Sequence, residues 1–134
     1  DICARLRRIV RASGAGRVMK RWWAAIANSW NGIVACARSE AAFREEIVAL
    51  ILAIPAAMLL ASDPWKRALL LAPIVLLLVI ELLNTAIEKL CDRITGEFDP
   101  AIGRVKDMGS AAIGVTLLAT AAVWAFAVVD YVRM

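Results

Sequence analysis

The sequence predicts an all-α integral membrane domain: three transmembrane helices preceded by an N-terminal amphipathic helix lying in the membrane interface. Three observations carry this expectation. The 134-residue chain is 62% hydrophobic, with mean hydropathy +0.72, against roughly 45–50% in soluble domains. Its apolar residues gather into Ile47–Ala61, Ala68–Leu90 and Ala111–Val129. With its polar interruptions, each stretch supplies the roughly 20 residues of a spanning helix. The basic residues are unevenly placed. Nine of the sixteen Lys and Arg lie at or before Arg44, four lie between Lys89 and Lys106, and only Lys66, Arg67 and Arg133 lie elsewhere. By the positive-inside rule the N-terminus and the second inter-span loop are cytoplasmic.

Each element follows in order. In Asp1–Arg11, Ile2, Leu6 and Ile9 recur at helical spacing among four arginines, and Ser13-Gly14-Ala15-Gly16 then breaks the pattern. Residues 1–20 read as a basic extension without the apolar core and cleavage site of a secretory signal. Residues 21–38 read as the interfacial helix, with Trp22, Ile26, Trp30, Ile33 and Ala37 on one stripe and Arg21, Asn28, Asn31, Ala35 and Arg38 on another. Tryptophan beside arginine suits a helix in the interface plane. Ser39-Glu40 reads as an N-cap and a first-turn acid, opening a span over about 43–61. Asp63-Pro64 marks an external turn before a second span over about 66–91. Thr95-Gly96 and Asp99-Pro100 mark a longer cytoplasmic loop. The third span covers about 109–131, and Ser110, Ala111, Ala112 and Gly114 give it a small-residue face suited to close packing. Asp107 and Ser110 read equally well as its N-caps. Pro55 and Pro73 fall inside spans, where neighbouring helices satisfy the freed carbonyls. Residues 21–134 thus form a single membrane domain.

Composition also excludes functions. The chain contains no histidine, which removes a Ser-His-Asp triad, a Cys-His dyad, an HExxH zinc site and histidine-ligated haem. Acid–base work falls to carboxylates or lysine, and any metal to oxygen ligands. Cys3, Cys36 and Cys91 are odd in number and widely spaced, so free thiols are expected. The net charge of +4 comes with no nucleic-acid motif and is accounted for by anionic lipid headgroups.

The chemistry is expected where polar groups interrupt the second span. Glu81, Asn84 and Glu88 share one helical face through steps of three and four residues. A carboxylate near the bilayer centre costs about 2.5–3.5 kcal/mol on insertion scales, so two on one stripe must face protein, metal or a reacting group. Glu40 and Glu88, near the interface, can share a divalent cation, while the deeper Glu81 can take a proton from a substrate hydroxyl in the lipid phase. Lys106-Asp107 can meet a phosphate and a polar nucleotide group. Cation, phosphate clamp and oriented hydroxyl are the parts that phosphoryl transfer requires. No Walker lysine motif is present, and Gly14-Ala15-Gly16 lacks a third glycine, which excludes the familiar soluble kinase folds. Structural roles compete. Glu88 and Asp92 are placed to pair with Lys89, Arg93 or Arg104. Glu40 suits a first helical turn, Glu45 and Glu46 suit a solvated helix end, and Asn84 suits a bridge between helices.

SEAAFREE (Ser39–Glu46), ELLNTAIEKLCDRI (Glu81–Ile94) and GRVKDMGSAA (Gly103–Ala112) closely resemble the small integral-membrane diacylglycerol kinases of Gram-negative bacteria. The resemblance runs from Arg21 to the C-terminus and leaves residues 1–20 outside it. It implies a homotrimer with three spans per subunit, set in the inner membrane with cytoplasmic active sites, which transfers phosphate from MgATP to diacylglycerol. By position, Glu81 matches the family's general base and Asn84 an essential polar residue beside it. Glu40 and Glu88 match the residues that hold Mg2+ on the ATP phosphates. Arg21, Glu97, Lys106 and Asp107 match ATP-linked positions, and Trp30, Ala42, Arg44, Glu46 and Ser110 match positions lining the lipid site. The chain departs from the family at Asn28, which replaces an aromatic residue, at Asp99, which replaces a histidine, and at Glu45, which replaces a glutamine. Two other functions fit less well: an undecaprenol kinase of the same superfamily, which shares the glutamate–asparagine core, and a proton-relay or transporter subunit titrating at Glu81 and Glu88.

Overall fold

A computed structural model of the chain describes residues 15–133. Among them are four helices and no strand: α1 (Ala15–Ser39), α2 (Ala41–Leu60), α3 (Pro64–Ile94) and α4 (Pro100–Arg133). The chain divides into two compact units, the first ending at Ala35 and the second running from Cys36. The basic amphipathic segment Asp1–Arg11 and Cys3 lie outside the described residues.

Helix starts depart from expectation at three places. α1 is already helical at Ala15 and Gly16, rather than beginning near residue 21. One glycine costs a helix only about 1 kcal/mol relative to alanine, and Arg17–Lys20 propagate the turn. α4 begins at Pro100 instead of near residue 109. The Asp99 carboxylate accepts a hydrogen bond from the Ala101 amide at 2.7 Å, and Pro100 follows it with a backbone angle already suited to a helix. The same Asp-Pro device starts α3, where Asp63 Oδ1 accepts from Trp65 N at 2.8 Å. Asp107 and Ser110 therefore lie inside α4 and cap nothing. At the third place, Ser39 is the last residue of α1, and Glu40 occupies the extended N-cap position of α2 without a side-chain cap bond.

Within the first unit, the side chains of Arg21, Trp22, Trp23, Ile26 and Trp30 are all exposed. Within the second, α3 is the central element, packing extensively on α4 and α2, while α2 and α4 meet only marginally. The buried residues of α3 explain why. Leu70, Ile74, Leu77, Glu81, Asn84 and Cys91 are buried and Glu88 is half-buried, recurring in alternating steps of four and three that form one continuous seam. Towards the N-terminus of α3 the seam is apolar: Leu70 packs with Ala57, Ala61, Trp124 and Ala127. Trp124 Nε1 donates to the Leu70 carbonyl at 3.0 Å, beside the point where Pro73 removes a helical donor. On α4 the buried hydroxyls of Thr116 and Thr120 turn back onto the carbonyls of Ala112 and Thr116, each at 2.8 Å.

Among the described residues two helices, α3 and α4, are long and apolar enough to cross a membrane. α2, expected as the first span, carries Arg44, Glu45 and Glu46 in its first turns. Its uncharged run from Ile47 to Leu60 rises about 21 Å, short of the roughly 30 Å hydrocarbon core.

Candidate active site

The polar half of the α3 seam is the centre of the site. Glu81 is only 6% exposed and Asn84 only 7%. Asn84 Nδ2 donates to Glu88 Oε1 at 3.0 Å, one turn further along. Asn84 Oδ1 is buried without a hydrogen-bond partner and lies against Gly109 of α4, where any Cβ would collide with it. Glu46 of α2 heads a groove that it shares with Ile74 and Leu77 of α3, and Glu40 lies 3.5 Å from the Lys89 ammonium of α3. Four carboxylates from three parts of the chain thus share one neighbourhood: Glu40 from the α1–α2 junction, Glu46 from α2, and Glu81 and Glu88 from α3.

The junction is tied to α3 by residues that sequence reasoning undervalued. Cys36 Sγ donates to Thr85 Oγ1 at 3.6 Å, both groups being buried. Cys36 and Cys91 are free thiols, as expected. Lys89 Nζ donates to Ser39 Oγ at 2.6 Å and lies 3.5 Å from Glu40 Oε1. Lys89 therefore pairs with Glu40, not with Glu88. This contact is part-exposed, and such pairs contribute about 0–1 kcal/mol, so it orients the Glu40 carboxylate more than it stabilises the fold.

A second cluster lies between the end of α3 and the start of α4. Lys106 Nζ donates to Asp92 Oδ1, which pairs Asp92 with Lys106 and not with Arg93 or Arg104. The hydrogen bond to Asp92 holds the Lys106 ammonium above the usual lysine range. Lys106, Asp92, Thr95, Glu97 and Asp99 line a cleft of about 430 Å3. Glu97 and Lys106, expected together at a nucleotide, do share this cleft. Asp99, expected to add charge there, is also the cap of α4.

The remaining expected residues are more dispersed. Glu46 is half-buried, its Oε2 has no hydrogen-bond partner, and it heads an apolar groove of about 390 Å3 lined by Ala49, Ala53, Leu77, Leu117 and Trp124. Arg44 is exposed and donates from Nη1 to the Ala37 carbonyl at 3.0 Å, closing the end of α1. Ala42, Asp107 and Ser110 are exposed. Arg21 and Trp30 belong to the first unit and are exposed there.

Among the described residues no three His, Cys, Asp or Glu side chains converge as a metal cage. The oxygen donors present still fit Mg2+, which usually takes one or two carboxylates and completes its shell with water and substrate phosphates. The pinned Glu88 and the junction residue Glu40 are the groups that would hold it.

Residues 27–128 match the family model for prokaryotic diacylglycerol kinase. The chain is 40% identical over 112 residues to the diacylglycerol kinase of Escherichia coli, covering 84% of this chain and 88% of that one. It is 42% identical over 107 residues to the diacylglycerol kinase of Pseudomonas aeruginosa, covering 80% and 87%. With the diacylglycerol kinase of Helicobacter pylori it shares 35% identity over 105 residues, covering 78% and 82%.

Proposed function

The chain belongs to the prokaryotic diacylglycerol kinase family, and from that premise we propose that it transfers the γ-phosphate of MgATP to the primary hydroxyl of diacylglycerol, giving phosphatidate and ADP. The observation that carries this reading is the polar half of the α3 seam, where Glu81 and Asn84 are buried and the Asn84 amide holds Glu88. A lipid hydroxyl is a poor nucleophile at neutral pH, and a carboxylate held away from bulk water is a suitable proton acceptor for it. Glu81 takes the hydroxyl proton as the lipid oxygen bonds to the γ-phosphorus, and the bond from that phosphorus to the β-phosphate bridging oxygen breaks to release ADP. Asn84 holds Glu88 through its amide. Bound Mg2+ would neutralise charge on the transferring phosphoryl group, held by Glu40 and Glu88.

Lys106, freed from Asp92, binds phosphate, while Glu97, Asp107 and Arg21 contact the rest of the nucleotide. Glu46, Ala42, Arg44, Trp30 and Ser110 line the lipid site, with the apolar groove beneath Glu46 taking acyl chain. In this reading α2 is the third crossing, with Arg44–Glu46 at the cytoplasmic boundary, and α1 lies in the interface. The protein sits in the inner membrane as a homotrimer, for which the exposed Ala111, Ala112 and Gly114 on α4 offer a close-packing face.

Transfer of radiolabel from ATP into lipid, with diacylglycerol and undecaprenol offered separately, tests the reading. Labelled phosphatidate is expected. No labelled product from either alcohol overturns the kinase assignment, and product from undecaprenol alone replaces the substrate.

A further inference from the structure

The Asn84 amide is held in a way that neither its own helix nor its hydrogen-bond partner explains. Its Nδ2 is satisfied by Glu88 at 3.0 Å, but its Oδ1 is buried with no donor. A buried amide oxygen without a hydrogen bond is costly, and a side chain with that choice would normally turn to find a donor. What lies against the oxygen is the backbone of α4 at Gly109, which approaches so closely that a single methyl group there would occupy the space of Oδ1. The other glycines of α4, Gly103 and Gly114, have nothing within 4 Å of where a Cβ would stand. The close approach is therefore local to Asn84.

We infer that Gly109 is a positioning residue: its missing side chain leaves the slot that seats the Asn84 oxygen, and so turns the Asn84 amide nitrogen onto Glu88. The reverse orientation would set an amide oxygen against a carboxylate, two acceptors without a proton between them. Gly109 thus acts on the phosphate end of the site through two contacts, from α4 to Asn84 and from Asn84 to Glu88, without touching substrate. The inference rests on the kinase reading for its functional consequence, but the mechanical coupling of Gly109 to Asn84 stands apart from it.

Gly109→Ala is the direct test, because Oδ1 is the end of a rotatable side chain and can swing aside without dismantling the helix pair. The side-chain amide 15N–1H signal of Asn84, identified by its loss in Asn84→Asp, is expected to shift in Gly109→Ala. Mg2+-dependent nucleotide affinity is expected to fall about 10–100-fold, as when the partner orienting a metal ligand is lost. Gly16→Ala, at a glycine with nothing within 4 Å of its Cβ position and no part in the site or the subunit contacts, should leave both at wild-type values. If Gly109→Ala also lowers thermal stability, adding Asn84→Ala should remove that loss, since the methyl then fits where the amide stood. Alanine at 109 should cost no further nucleotide affinity in that background, a non-additivity that marks direct coupling. An unmoved Asn84 signal with unchanged magnesium dependence overturns the inference, as does strict additivity in the double variant. A wild-type protein that phosphorylates no lipid overturns the kinase reading, while leaving the amide signal and stability cycle to judge the coupling.

Discussion

The two halves of the α3 seam occupy the same helical face, but they are buried by different means. Leu70 is covered by Ala57, Ala61, Trp124 and Ala127, and Ile74 and Leu77 are buried beyond it; contact area alone satisfies all three. Glu81, Asn84 and Glu88 bury groups that need partners, and the chain meets that need incompletely: Glu88 has the Asn84 amide, while Asn84 Oδ1 has only the bare backbone of Gly109 beside it. One half is arranged to hold helices together. The other is arranged to be completed by something that binds, so substitutions should separate stability from activity along a single helix.

The largest effect is expected at Glu81→Gln, which keeps the shape and removes the base. Loss of a general base costs about 10²–10⁴-fold in turnover, so kcat should fall by that range while equilibrium MgATP binding stays near wild type. Loss of nucleotide binding instead would show that Glu81 belongs with the phosphates. Glu88→Gln should act next most strongly and in the opposite sense. Weakening a charged hydrogen bond or ligand costs about 1.5–3 kcal/mol, and the expected readout is a raised KM for MgATP with a shifted magnesium requirement. An unchanged magnesium titration would remove Glu88 from the metal.

In the apolar half the expectation reverses. Leu70→Ala opens a void beside Ala57 and Trp124 and should cost about 2–5 kcal/mol by the precedent of buried leucines. Thermal inactivation in detergent would report this as a shortened half-life, with kcat and KM near wild type. A matching fall in kcat would show that the two halves are mechanically one. Trp124→Phe is a smaller version, removing the bond to the Leu70 carbonyl for about 0.5–1.5 kcal/mol.

The smallest effect should come from Asp92→Asn at neutral pH, because its partner Lys106 is exposed. The folded-state pKa of Lys106 is raised by Asp92. Its contribution is therefore complete below the ordinary lysine pKa of about 10.4 and disappears as pH rises through the higher folded value. Unfolding followed from neutral pH into this alkaline window should show a dependence in the wild type that Asp92→Asn flattens. If Lys106 also serves nucleotide phosphates, the variant should bind ATP no more weakly than wild type, since a competing carboxylate has gone.

Much of this is legible in the sequence. The seam is written in steps of three and four from Leu70 to Cys91, and the polar interruption of an apolar helix marks Glu81, Asn84 and Glu88 without reference to packing. Asp63-Pro64 and Asp99-Pro100 were readable as turns, and their caps follow from the same residue types. Other features were not legible. Ser39 and Glu40 looked like a cap and a first-turn acid, yet Ser39 closes α1 and Glu40 faces Lys89. Lys89 and Asp92 each had several opposite charges nearby in sequence, and their actual partners come from other helices.

Periodicity, composition and charge placement settle which side chains share a face and which end of each helix is polar, because those properties arise within a few residues of chain. The tertiary structure alone decides what each face meets. Gly109 is the plainest case: as a letter in a run of small residues it carries no signal, and its role exists only because α4 crosses α3 at the one point where Asn84 needs room. Closeness between helices depends on the sum of many distant contacts, so no local stretch of sequence encodes it.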